Sequence, residues 1–343
     1  MDLADNTLSQ ASGAMKDLLD GVTIPNPIQK NLFKVCGQLF TAVADIPISY
    51  LEGIAVEKRA KTGARVKIIS TGADQIASRM NIAPEFVQAA MNKAGQKIVG
   101  ERINLNNILK IAVAQVGQQN ANTSSGIIPE IEAAEINTDW INNFESEAKP
   151  KSTEEMQQLF GRILAGEIQR PSSFSIRTVK LMGQLDMKVA ATFRRLCSLC
   201  IYLKSGPNVI DARAISLGGN AASNSLQGYG LTFDVLNMLN EHGLIIADYN
   251  SWRDYRYSIA EQNNKDANSF VQPFQYQNQQ WALVNHGNER RAQEFRLHGV
   301  KLSEAGAQLL SIVDIEPVES YTTALHTFFE QQNLQMQPVV IRS

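Results

Sequence analysis

Residues 152–200 constrain the fold of this 343-residue chain more tightly than any other stretch. They read STEEMQQLFGRILAGEI, QRPSSFSIRTVKLMGQL and DMKVAATFRRLCSLC, three phrases with the apolar period of packed helices, separated by turn residues. In the first phrase Met156, Leu159, Phe160, Ile163, Leu164 and Ile168 share a face, and Gly166 and Pro171 stand where the helix should stop. Ser152 and Glu155 have the spacing of a capping box, in which each side chain satisfies an orphan backbone N–H at the helix start. Ser175 is placed to cap a second helix carrying Ile176, Val179 and Met182, and Asp186 to cap a third. On that third helix Val189, Phe193, Leu196, Cys197 and Cys200 fall on one side. The block specifies helix–turn–helix–turn–helix. This is an instruction for packing, and no set of its side chains has the spacing of an active site.

The residues upstream are also helical in period. Ile28, Leu32, Val35, Leu39 and Val43 line one face until Asp45-Ile-Pro47 breaks the run. A phrase over residues 48–80 follows, in which Thr62, Val66, Ile69, Ala73, Ile76 and Met80 alternate four and three apart. This is a short heptad-like seam, whose partner is either another helix of the chain or a second subunit. Pro84 starts a further helix with Val87, Met91, Ala94 and Ile98 on one side. A break is expected near Gly100, after which Leu105, Ile108, Leu109, Ala112 and Val116 form another stripe. Residues 118–129, QQNANTSSGIIP, are polar and aperiodic and read as the main linker.

The pattern changes in the last third. Leu231, Val235, Leu236 and Leu239 form a helix ending at His242-Gly243, and Leu244-Ile245-Ile246 begins an extended run. Residues 281–284 and 295–298 read as strands, and Leu302-Ser303-Glu304-Ala305-Gly306 opens a helix. Helix, short strand, hairpin and helix in this order resemble a winged-helix module with an enlarged wing. The helix that would read a DNA groove, residues 229–242, contains Asp234 and Glu241 but no Lys or Arg, which argues against major-groove recognition. The wing does carry Arg253, Arg256, Arg290, Arg291, Arg296 and Lys301 among aromatics, a composition open to contact with a nucleic-acid backbone or with a protein. A protein-docking wing is the favoured expectation.

Composition removes several classes. The formal net charge of −2 gives no general attraction to nucleic acid or anionic lipid. Three cysteines make no disulfide framework and fit a reducing compartment. The first fifteen residues have neither the basic nor the apolar region of a signal peptide, so a cytoplasmic protein is expected. The most apolar window, residues 32–56, is interrupted by Lys34, Asp45, Pro47 and Glu52, so membrane contact is not expected. Cys197 and Cys200 lack the second ligand pair of a tetrahedral zinc site, and Gly218-Gly219-Asn220 lacks the Lys-Ser/Thr of a phosphate loop. No metal, cofactor or enzymatic activity is expected.

Asp139-Trp140, Phe144, the capped helix at residues 152–168 and the proline turn at Pro171 resemble an uncharacterised bacterial family, domain of unknown function 2806. The same pattern is similar, more distantly, to abortive-infection alpha proteins, with Phe160 standing where those carry tryptophan. The resemblance implies shared architecture and a setting in phage defence or prophage biology. The expectation is thus a mainly α protein: an N-terminal helical region over 1–120, a central helical domain over 130–205 and a small α+β winged-helix-like domain over 206–343. It would act without catalysis as a homo-oligomeric sensor or scaffold. A nucleic-acid-binding regulator and a peripheral membrane effector are the alternatives.

Overall fold

The computed structural model describes residues 25–41, 83–122, 134–218, 223–261, 271–287 and 294–339. The chain divides into two compact units, Met1–Lys180 and Leu181–Ser343. The seam of Val66, Ile69, Ala73, Ile76 and Met80 lies outside the described residues, as do Arg290 and Arg291.

The first unit is helical among its described residues. Helix α1 (Asn26–Thr41) buries Leu32, Val35, Cys36 and Leu39, as the period requires. Helix α2 (Pro84–Asn122) is continuous through Gly100, so the expected break is absent and the first five linker residues are helical. Its C-terminal half buries Leu105, Ile108, Leu109, Ala112, Val113 and Val116. Helices α3 (Thr138–Ala148) and α4 (Glu154–Gln169) complete the body, with α4 packed on both α1 and α2. The approach of α4 to α2 is close. A β-carbon at Gly161 would overlap Ile111 Cγ2 and lie 2.7 Å from its Cβ, so only glycine allows this separation. Buried Asn31 ties the elements together, donating to the carbonyls of Ala134 and Ile168 and accepting the Ile136 N–H. Arg102 donates to the Leu39 carbonyl at 2.8 Å and so caps the end of α1.

Helix α5 (Ile176–Gln184) spans the boundary between the units. Its cap is as expected, with Ser175 Oγ accepting the Thr178 N–H. Helix α6 (Met187–Leu199) is capped by Asp186, which accepts the Val189 N–H at 2.8 Å.

The second unit departs from the winged-helix expectation. Strand β1 (Cys200–Ser205) follows α6 without a break and pairs with β2 (Asn208–Ile215). Helix α7 (Phe233–Glu241) precedes β3 (Ser251–Asp254), β4 (Ile259–Glu261), β5 (Phe274–Tyr276), β6 (Gln279–Asn285) and β7 (Arg296–Lys301). Helices α8 (Glu304–Leu310) and α9 (Glu319–Glu330) and strand β8 (Leu334–Pro338) end the described chain. The eight strands form one curled sheet in the order β3-β7-β2-β1-β5-β6-β4, with β8 on β6. All pairings are antiparallel except β4 with β6. A small winged-helix domain is therefore incorrect. The local elements α7 and α8 were legible, and the extended run expected at Leu244-Ile245-Ile246 amounts to one isolated bridge, Ile245–Leu302; all of them flank a sheet far larger than a wing.

The sheet is filled from one side by α9. Tyr321, Leu325 and Phe329 are buried, and Phe329 meets Phe274 and Phe295 with ring centroids 6.5 Å apart. Tyr321 also accepts the Ile215 N–H and donates to the Ile215 carbonyl, satisfying the end of β2 where β1 gives way to helix. Helices α6 and α8 pack against β2. The β5–β6 turn has left-handed φ at both Gln277 (48°) and Asn278 (62°), the geometry of a tight hairpin. Gln277 is held there because its amide donates to Tyr276 Oη and Thr322 Oγ1, each at 3.0 Å.

Candidate functional site

The residues that carry the family resemblance converge on the turn after α4. Asp139 lies in the first turn of α3, its N–H bonded to Asn137 Oδ1. Trp140 stacks on Phe144 at 5.2 Å, Phe144 meets Phe160 edge-on at 5.6 Å, and Trp140 Nε1 donates to the Phe174 carbonyl at 2.7 Å. Leu164 is buried on α4 and Leu159 half-buried, with Pro171 inside the turn. Ser152 and Glu155 do not form the capping box. Helix α4 begins one residue later, behind Thr153, with no side-chain cap.

The turn is held instead by Glu167, which sequence reasoning missed. Its two carboxylate oxygens accept the N–H groups of Ser172 (2.6 Å) and Phe174 (3.0 Å), and Ser172 takes a φ of 71° to present them. Burial pushes the Glu167 carboxyl above its usual range, and these N–H bonds only partly oppose it. The available signal was position, because Glu167 lies three residues after Leu164 on the apolar stripe. Gly166 is no helix terminator. A β-carbon there would sit 2.7 Å from the Phe174 ring, so glycine admits that ring.

In the second unit, Asp211 and Arg213 point to the same face of β2 and are fully buried. Arg213 Nε and Nη2 each donate to Asp211 at 2.7 Å, a bidentate pair, while Nη1 donates to the carbonyls of Ser251 (2.7 Å) and Leu297 (3.2 Å). Tyr255 Oη donates to Asp211 Oδ2 at 3.1 Å. One guanidinium thereby joins β2 to β3 and β7. Burial raises the Cys200 thiol and holds Cys197 in the same direction. Cys200 starts a strand and does not share the helix of Cys197.

The arginines proposed for the wing are separated by the sheet. Trp252 and Asp254 on β3 are in register with His298 and Arg296 on β7, so these four share one face. Arg253 is in register with buried Leu297 on the opposite face, and Lys301 shares the face of Arg213. Arg296 stacks over the Trp252 ring at 4.1 Å and pairs with Glu294 at 2.6 Å, while Arg256 pairs with Asp254. Burial works against the Asp254 carboxylate, yet the N–H groups of Arg256 and Phe295 and the Arg256 guanidinium hold it below its usual range. A phosphate approaching this face meets arginines already engaged by carboxylates. Exposed Trp252 (44%) and Tyr257 (61%) remain as contact area. Among the described residues no cluster of three or more His, Cys, Asp or Glu could hold a metal ion, and no helix is long and apolar enough to cross a membrane.

Among the described residues, the N-terminal half of α2 leaves apolar side chains uncovered. Residues 85–101 are exposed or half-buried throughout, with Phe86 at 69% and Ile98 at 50% exposure, and Ile103 beyond them at 43%.

No curated protein and no solved structure matches this chain. A family described as "Protein of unknown function (DUF2806)" matches residues 90–326, more than two thirds of the sequence and including the Trp140–Phe174 turn and seven of the eight strands. The chain therefore belongs to the DUF2806 family.

Proposed function

We propose that this protein is a non-enzymatic scaffold or sensor that assembles with copies of itself through the uncovered half of α2. The observation that carries this reading is the exposure of residues 85–101 on a helix of 39 residues. Most helix stability in proteins comes from packing an apolar face, and no residue of this stretch is buried. Gly95 and Gly100 weaken it further, each by roughly 1 kcal/mol relative to alanine. A partner that covers the stretch resolves the conflict. The buried ionisable groups support the same reading, since Glu167, Asp211 and Arg213 each hold backbone or a neighbouring strand.

Light scattering and sedimentation over a concentration series test the proposal. A mass that is a multiple of the chain mass is expected, and a monomer at every concentration would overturn it. The setting in phage defence or prophage biology rests on the resemblance to abortive-infection alpha proteins. Challenge of expressing cells with a phage panel tests it, and the absence of both protection and growth arrest would remove it.

A further inference from the structure

We infer that the partner of α2 is a second α2, running antiparallel about a two-fold axis between Asn92 and Lys93; the inference rests on the self-assembly reading above. Two separate features of the helix share that midpoint. The apolar residues Val87, Met91, Ala94 and Ile98 are four, three and four apart, so their spacing is the same read in either direction. Its centre falls between Asn92 and Lys93. The described uncovered stretch runs from Glu85, one residue into the helix, to Glu101, just before buried Arg102 enters the folded body. Its centre falls at Lys93, within half a residue of the same place.

An antiparallel copy consequently uses the whole overhang. Val87 of one copy meets Ile98 of the other, and Met91 meets Ala94, a large side chain against a small one. Each helix start lies where the other helix enters its own body, giving an overlap of about 27 Å at 1.5 Å per residue. Charge selects the same direction. In a parallel pair Lys93 and Lys97 would lie at the level of their own copies. Glu101, which continues the four-three spacing after Ala94 and Ile98, would enter the seam opposite itself. In the antiparallel pair Glu85, Lys93, Lys97 and Glu101 lie at the levels of Gly100, Asn92, Gln88 and Pro84, none of them charged.

Disulfide trapping tests the arrangement. The native cysteines Cys36, Cys197 and Cys200 are buried, so new thiols on α2 are the reactive ones. Val87→Cys and Ile98→Cys proteins are mixed and oxidised. The mixture is expected to give a cross-linked dimer containing one of each. Either variant alone should not cross-link, because like positions are eleven residues apart along the axis, about 16 Å against the 4.4–6.8 Å span of a disulfide. Ile98→Glu should raise the dimer dissociation constant at least tenfold. Cross-linking of each cysteine variant with itself would overturn the antiparallel inference while leaving self-assembly standing. A monomer at every concentration would overturn both.

Discussion

Replacing Arg213 by methionine tests whether the second unit depends on its buried ion pair. The guanidinium makes four hydrogen bonds: two to Asp211, and one each to the carbonyls of Ser251 and Leu297. The Tyr255 N–H bonds the Phe295 carbonyl, so ladder alternation puts the Ser251 and Leu297 carbonyls on β3–β7 bonds of their own. Each of those loses only a second partner. Asp211 loses far more, since the Tyr255 hydroxyl is then its remaining hydrogen-bond donor from this network. Removing one member of a buried pair costs about 3–5 kcal/mol, because the other charge is left uncompensated in a dry site. The expected loss for Arg213→Met lies in that range. Changing both partners, Asp211→Leu with Arg213→Met, removes the orphan charge and should recover most of it, leaving about 1 kcal/mol for the unpaired tyrosine hydroxyl. Urea unfolding followed by circular dichroism gives both numbers. If Arg213→Met falls within about 1 kcal/mol of the parent, below the usual cost of an orphaned charge, or if the double variant is no better than the single one, the network is not what holds β2, β3 and β7 together.

Three further outcomes follow from the packing. The folded pKa of Glu167 lies above its ordinary 4.5, so the stability linked to its protonation is full below about that pH and is lost as pH rises through the folded value; Glu167→Gln should flatten this dependence in a pH series of melting curves. The glutamine amide also presents a donor to the Ser172 or Phe174 N–H, so a further loss of about 1–3 kcal/mol is expected at neutral pH, and an unchanged midpoint would refute the role. Gly161→Ala forces α4 away from Ile111 and should cost about 1–3 kcal/mol by thermal unfolding, with an unchanged or raised melting temperature counting against the contact. The three thiols should stay unreactive toward a disulfide reagent until the chain unfolds, since all are buried and burial pushes the Cys36 thiol up to about 12; rapid modification of native protein would contradict this.

The helical block was legible because its signals are local. Asp186 and Ser175 cap the helices their positions promise, and Phe160, Ile163, Leu164 and Ile168 are buried on the face their spacing defines. The sheet was not legible. Cys200 continues the four-and-three spacing of Leu196 and Cys197, so a strand start looked like one more helical turn. Strand neighbours such as β2 and β7 lie more than eighty residues apart, and no short pattern encodes that pairing. Asp211 and Arg213 alternate with Ala212 and Ala214 and resemble an ordinary exposed face. Burial comes from distant chain, with Tyr255 bonding Asp211 and the β3 and β7 carbonyls of Ser251 and Leu297 taking the Arg213 guanidinium. In α2 the glycine at position 100 suggested a stop, but neighbouring Arg102 and Leu105 find partners in the folded body and carry the helix through.

The order in which the chain emerges from the ribosome gives the position of α9 a biological consequence. The segment that fills the curled sheet, residues 319–330, and its last strand, 334–338, are made after every other strand. During translation Phe274, Phe295 and the end of β2 at Ile215 wait without the rings and hydroxyl that later cover them. A nascent unit of this kind cannot complete its fold step by step with synthesis, and its waiting aromatic surface is a substrate for chaperones. A nonsense mutation at Glu319 would therefore do more than shorten the protein: it would leave seven strands around an unfilled centre, a product fit for degradation or aggregation.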